Sequence, residues 1–177
     1  MLPPIDPTTG LLPEASAPHR ATLDEIYAAF VATAPFSERR ELIFNALSLY
    51  ARLIWAIYPD ARLRIDGGFV THKPWAEPDD VDVAVVCPTI TPAQRDAATE
   101  AGLFSIGGAQ GVVHRRKVGP IKKLHPMGGL VDAFYVPEKD VPYREFFEDY
   151  WSTETGPTKL PTGRRKGYVE VVNPNAP

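Results

Sequence analysis

Asp80-Val81-Asp82-Val83 is the tetrapeptide in this sequence best suited to chemistry. Residues two apart on a strand share a face, so the two carboxylates point one way while Val81 and Val83 point into a core. Side by side, the carboxylates repel, and each raises the other's pKa unless a cation sits between them. Hard divalent ions such as Mg²⁺ accept an oxygen-only environment of this kind. Asp132 is the lone charge in a second apolar run, Leu130-Val131-Asp132-Ala133-Phe134-Tyr135, where an unpaired carboxylate is costly. If the two runs lie together, three carboxylates converge. Upstream, Asp66 is followed by Gly67-Gly68, where backbone N–H groups can approach a phosphate with no Cβ in the way. Thr71 and Lys73 lie just beyond and are candidate phosphate ligands.

Each of these signals has a plainer counterpart. D-V-D-V is also what a half-buried strand with one wet face looks like. Asp132 could pair with a core arginine, and a glycine pair after a strand can be a simple turn. Their combination within one short span makes the stronger case.

The elements that must position these residues are legible from patterning. Residues 1–20 carry Pro3, Pro4, Pro7, Pro13 and Pro18 and no helical or strand periodicity, so they read as an extended arm ahead of a single domain over 21–177. Thr22 and Glu25 form a capping box opening a short helix through Ile26, Phe30 and Val31. Ser37 is the expected N-cap of a second helix reaching residue 58, with Ile43, Leu47, Tyr50, Ile54 and Ile57 on one face. Strands are expected over 62–66, 80–86, 130–136 and 168–172. A capping box at Thr91-Pro92-Ala93-Gln94 starts a third helix, and a fourth spans 142–151. Glycines 107, 108 and 111 read as a turn. The sum is a mixed α/β (α+β) fold: a small mixed sheet flanked by helices.

Whole-chain properties narrow the partners. With 177 residues there is room for one sizeable core. A net charge of −3 makes the average surface repel nucleic acid and anionic membrane, so a polyanion would need a local basic patch. Arg115, Arg116, Lys117, Lys122 and Lys123 could supply one ahead of the Asp132 strand, with Arg164, Arg165 and Lys166 adding to it; a solvated basic hairpin is the alternative. The longest apolar stretch, residues 53–58, is far below the roughly 20 needed to span a bilayer. The prolines near the N-terminus argue against a signal helix, and the single Cys87 excludes an intrachain disulfide, so a cytoplasmic location is expected. Tyr143, Phe146, Phe147, Tyr150 and Trp151 are too aromatic for one buried stripe and suggest core plus a partner surface.

A strand, Gly-Gly or Gly-Ser, a short connection and then [DE]-h-[DE]-h resembles the signature of the DNA polymerase β-like nucleotidyltransferase superfamily. Gly67-Gly68, Asp80-Val81-Asp82-Val83 and Asp132 carry the resemblance here. The longer run D-G-G-F-V-T-H-K-P…P-D-D-V-D-V is similar to a group of small bacterial and phage-borne nucleotidyltransferase-like proteins. Their features extend to Leu11-Leu12-Pro13, Arg39-Arg40 and Lys166-Gly167-Tyr168-Val169-Glu170.

The resemblance implies a minimal nucleotidyltransferase fold that moves a nucleoside monophosphate from an NTP onto a hydroxyl of RNA, tRNA included, or of protein. It further implies Mg²⁺ or Mn²⁺ as cofactor and a toxin–antitoxin or phage–host setting. Asp80 and Asp82 would bridge two ions roughly 3.5–4 Å apart, and Asp132 would help hold the ion that activates the acceptor. The second glycine is usually a serine whose hydroxyl binds the terminal phosphates. Gly68 removes that contact, as an inactive module binding nucleotide, RNA or a protein partner would.

Overall fold

Alternation along the strands sorts side chains onto two faces of one sheet, and the two faces do different work. The computed structural model describes residues 1–113, 116–158 and 160–176. Its strands are β1 (His19–Arg20), β2 (Arg62–Asp66), β3 (Val81–Cys87), β4 (Ile106–Val113), β5 (Arg116–Leu124), β6 (Val131–Pro137), β7 (Thr153–Thr155), β8 (Pro161–Arg165) and β9 (Val169–Val172). Its helices are α1 (Leu23–Tyr27), α2 (Ser37–Ile57), α3 (Pro92–Glu100), the single turn α4 (Pro126–Gly129) and α5 (Val141–Trp151). Five strands form a mixed sheet in the order β1-β9-β2-β3-β6, with β2 antiparallel to both neighbours and the outer pairs β1/β9 and β3/β6 parallel. The expected mixed α/β class with a small flanked sheet holds.

Leu63, Ile65, Val81, Val83, Val85, Val131, Ala133, Val169 and Val171 share one core with the buried residues of α1 and α2. Helix α2 supplies Ile43, Leu47, Tyr50 and Ile54 at three- and four-residue steps. The opposite face packs Ala84, Val86 and Val136 against Phe147 and Trp151 of α5. At about 25 cal/mol per Å², each large aliphatic side chain buried on either face contributes roughly 1.5–3 kcal/mol. Tyr50 and Trp55 keep polar partners inside, donating to the Leu103 and Ala61 carbonyls at 3.0 Å. Cys87 is a buried filler among them.

Both capping boxes form as expected, at Thr22/Glu25 and Thr91/Gln94. Four expectations need correction. Ser37 is the first helical residue and not the cap, because Phe36 takes a left-handed conformation (φ 60°) while Arg40 Nε donates to the Pro35 carbonyl and fixes the turn. The first helix does not run on regularly through Phe30 but widens into a π-turn, Ala28–Ala32, whose Ala29 and Phe30 carbonyls accept from His72 and Arg40. The glycine-rich segment is not a turn but strand β4, which pairs with β5 in a hairpin outside the main sheet. The strand set is also longer than expected near the C-terminus, where Pro161–Arg165 form β8, paired with β7. The N-terminal arm packs on its own chain: Leu11 and Leu12 are buried, and β1 lies parallel beside β9.

Arg40 shows how the fold fixes the connection that leads to the carboxylates. It is fully buried with no carboxylate beside it, and burial alone pulls its pKa down to about 10. Its guanidinium donates to the carbonyls of Pro35, Phe69 and Thr71 at 2.6 Å, Phe30 at 3.2 Å and Gly68 at 3.4 Å. Next to it, Arg39 donates to the carbonyls of Pro78 (3.1 Å) and Asp79. Adjacent arginines in the first turn of α2 thus pin both ends of the segment between Gly68 and Asp80. Arg40→Lys replaces a five-donor planar fork by a compact ammonium and leaves buried carbonyls unpaired. The expected loss is about 3 kcal/mol, roughly a 10 °C fall in Tm. Thermal unfolding checks it, and a fall under about 3 °C would show that the fork does not hold this segment.

Candidate active site: carboxylates in register across three strands

Register brings the carboxylates together. In the antiparallel pair Asp66 lies opposite Asp82, and in the parallel pair Asp82 lies beside Asp132. All three fall on the α5 face of the sheet, at one end, because each is an even step from Ala84 or Phe134 on its own or the neighbouring strand. Asp80 precedes β3 by one residue and continues the same parity. Asp80, Asp82 and Asp132 are therefore brought to one place, as their spacing suggests. Asp66 is a fourth carboxylate that the sequence reading left as a strand end.

Gly67 is required by this packing. It has φ +83° and ψ −162°, a region open essentially to glycine alone, and a Cβ built on it would overlap the Asp82 carboxylate. Gly68 is exposed and under no such constraint, since the nearest atom to its Cβ position is Pro78 Cβ at 3.7 Å. Serine would fit there.

Electrostatics follow from the crowding. Burial raises the Asp82 pKa to about 7, with Asp66, Asp80 and Asp132 adding to the rise and Lys166 opposing it. Burial also raises Asp80, helped by Asp132. Asp66 is buried and raised for the same first reason, although the Lys166 ammonium is bonded to it and favours its charged form. Among the described residues, Asp132 Oδ1 is the buried side-chain atom with no hydrogen-bond partner, while Lys123 is ion-paired with Oδ2 and lies 4.9 Å from the Phe134 ring. His125 Nδ1 is 3.3 Å from Asp132 Oδ1 and 4.0 Å from Asp80 Oδ2. An orphaned oxygen and a set of mutually repelling carboxylates fit a divalent cation chemically: Asp80, His125 and Asp132 each offer a ligand atom within 4.8 Å of the others, and Asp82 is the crowded carboxylate beside them.

A cavity of about 160 Å³ opens beside this cluster, lined by Asp66, Gly67, Gly68, Lys73, Asp82 and Tyr150 among others. It is small against ordinary ligand pockets of roughly 300–1,000 Å³, so it suits phosphates better than a whole nucleotide. Tyr150 stands at its rim, 60% exposed and stacked on Phe146 with ring centroids 6.0 Å apart. A larger cavity, about 840 Å³, lies between the N-terminal arm and the π-turn, with Trp75 on its wall. It is far larger but contains none of the clustered carboxylates.

The remaining expected ligands divide. Lys73 lines the small cavity, half-buried, with its ammonium on the Thr155 carbonyl at 2.6 Å. Burial lowers its pKa, Lys166 adds to that, and Glu154 and Asp66 oppose it. Thr71, in contrast, is fully buried, with its hydroxyl donating to the Gly68 carbonyl and its own carbonyl held by Arg40. It shapes the turn and cannot face a phosphate. The basic set splits likewise. Arg116, Lys117 and Lys122 are exposed on β5, whereas Lys123 turns to Asp132. Arg165 is held by Glu14 (3.0 Å) and Asp149 (2.8 Å), and Arg164 is 3.9 Å from Glu154. Lys166 is buried on Asp66, so it is no part of a surface patch. Arg115 lies outside the described residues.

His125, Lys123 and Lys166 are functional candidates that the sequence did not single out for these positions. The first two arrive at the base of the basic hairpin, the alternative expected for that run, and Lys166 pairs with a residue 100 positions away. A model of DUF6932, a family of unknown function, matches residues 3–172. No curated protein and no solved structure matches the chain.

Proposed function

The chain belongs to this family, and we propose that it is a divalent-metal-dependent nucleotidyltransferase acting in the cytoplasm. It transfers NMP from an NTP to a hydroxyl of RNA or protein, with toxin–antitoxin or phage–host conflict as the setting that the sequence resemblance suggests. The observation that carries the reading is the in-register set Asp82–Asp132 with Asp80, beside the Gly67-Gly68 turn. In the transfer, an acceptor oxygen attacks the α-phosphorus, the bond to the bridging oxygen of pyrophosphate breaks, and the hydroxyl proton leaves to solvent or a site carboxylate. Bound Mg²⁺ or Mn²⁺ supplies neutralisation of charge on the phosphoryl oxygens.

This chain's own residues do the positioning. Asp80, Asp82 and Asp132 hold the ions. Gly68 and Lys73 line the small cavity and would receive the terminal phosphates there, Lys73 on leaving the Thr155 carbonyl, while Arg40 keeps that loop in shape. The cavity takes the phosphates and leaves the base at the rim, against Tyr150. Lys122, next to Lys123, and Arg116 and Lys117 toward the hairpin's far end offer an acceptor's backbone a basic strand leading away from the centre.

A second reading, a silent module that binds nucleotide, RNA or a protein partner, has one specific support: Lys166 and Lys123 already sit on Asp66 and Asp132, and Gly68 lacks the serine hydroxyl. No helix among the described residues is long and apolar enough to cross a membrane.

Thermal unfolding with Mg²⁺ and each of the four NTPs in turn tests the assignment. Ligand at 100 times its Kd adds about 2.7 kcal/mol, which moves Tm by several degrees in a chain of this size. A Mg²⁺-dependent shift with one NTP names the donor, whose labelled form is then used to find the acceptor. No shift with any NTP would rule out the transferase and favour the silent module.

A further inference from the structure

His125 does something that a carboxylate triad does not require. It lies between β5 and the single turn α4, directly before Pro126, at the base of the hairpin, and makes no capping bond, so its ring is left to face the carboxylates. Its Nδ1 faces two carboxylates, and one ligand atom from each of Asp80, His125 and Asp132 lies within 4.8 Å of the others. Ser105 Oγ accepts from the Ala133 N–H at 3.0 Å and lies 3.5 Å from His125 Nδ1, so the ring is flanked by a hydroxyl as well as by the two carboxylates.

Two carboxylates converging with no cation between them repel each other. The Asp132 side chain is nine-tenths buried, and its Oδ1 accepts no hydrogen bond, while Lys123 satisfies only Oδ2. The separations of 3.3 and 4.0 Å suit ligands sharing one ion at about 2.1–2.2 Å, for which neighbouring ligands lie roughly 3 Å apart and opposite ones roughly 4.3 Å.

We propose that Asp80, His125 and Asp132 form a mixed nitrogen–oxygen site for a first-row transition ion, with Mn²⁺ held in preference to Mg²⁺. Carboxylates take either ion, but imidazole suits transition metals and is a poor partner for Mg²⁺. His125 is thereby the residue that sets metal choice. The inference rests on the transferase reading only for what the ion does; binding by this trio is independent of any nucleotide.

The test uses the full chain with no nucleotide present. MnCl₂ is titrated in while free Mn²⁺ is followed by electron paramagnetic resonance, and bound Mn²⁺ is examined by pulsed methods for ¹⁴N coupling from imidazole. One bound Mn²⁺ with ¹⁴N coupling is expected, displaced only by Mg²⁺ in at least about tenfold excess. His125→Ala is expected to lose the coupling and weaken Mn²⁺ by about ten- to a hundredfold, with Mg²⁺ affinity changed less than about twofold.

Absence of Mn²⁺ binding, absence of ¹⁴N coupling, or displacement by equimolar Mg²⁺ would overturn the site. If His125→Ala fails to fold, the wild-type coupling decides, with His125→Asn as the second variant. Coupled Mn²⁺ without any NTP shift would keep this site and reject the transferase, and the opposite pattern would do the reverse.

Discussion

Asp82→Asn is expected to abolish nucleotidyl transfer and, at the same time, to raise the thermal stability of the metal-free protein at pH 8. The loss of transfer is about a thousandfold or more, on the order of 4 kcal/mol, because the variant removes a charged ligand where transition-state charge must be neutralised. The gain in stability follows from crowding. Burial and three neighbouring carboxylates lift Asp82 from the ordinary 3.8 to about 7, so the unfolded chain ionises first as pH rises. This group's contribution to stability is complete below 3.8 and is lost as pH climbs to 7. Asparagine carries no such penalty. The Tm advantage of the variant is therefore greatest at pH 8, shrinks through pH 6 and vanishes near pH 4. Saturating Mg²⁺ should reverse the order at pH 8 by stabilising the wild type alone. A variant less stable than wild type across the whole range would show that Asp82 is not held under repulsion, and full activity would remove it from the centre.

The second large effect separates two adjacent glycines. Gly67→Ala forces a side chain into backbone space that only glycine occupies readily, at a cost of about 1–3 kcal/mol, and drives its methyl into the Asp82 carboxylate. A total loss of about 3 kcal/mol is expected, with Mg²⁺ stabilisation abolished because the carboxylate is displaced. Gly68→Ser meets nothing closer than 3.7 Å, so its stability should stay within about 0.5 kcal/mol of wild type while NTP binding strengthens. Denaturant unfolding and NTP titration of the two variants check both halves. Equal behaviour of the two variants would contradict the distinction, since one glycine is held by geometry and the other is a choice of residue.

That distinction marks where sequence and structure part company. β2 spans the residues its alternation outlines, and β3 and β6 lie within one residue of theirs, because local period and burial agree there. The capping boxes form because their partners lie three residues apart. The convergence of Asp80, Asp82 and Asp132 was readable from parity plus one assumption, that the two apolar strands are neighbours. Asp66 could have been found by the same parity, since it ends a strand followed directly by the glycine pair.

Other features depend on information that no local window holds. β4 contains three glycines that weaken any strand signal, so a basic hairpin was legible as an alternative while its glycine-rich partner strand and the approach of Lys123 and His125 to Asp132 were hidden. Lys166 sits within a basic triplet that looks solvent-exposed, and only β9 lying beside β2 brings it to Asp66. Thr71 looked like a ligand because of its neighbours, yet the Arg40 fork turns that segment inward.

The parallel register of β3 and β6 sets how this site can be lost over evolutionary time. Insertion or deletion of one residue in β6 would send Asp132 to the opposite face and expel Val131 and Ala133 from the core in the same step. Fold and chemistry would fail together, and selection for a stable chain would discard the change whether or not activity mattered. Point substitution, in contrast, can remove a carboxylate and leave the strands and their register intact. A fold-sparing change of the carboxylates would therefore show as other residues at positions 80, 82 or 132 within strands of unchanged length; this chain has aspartate at all three.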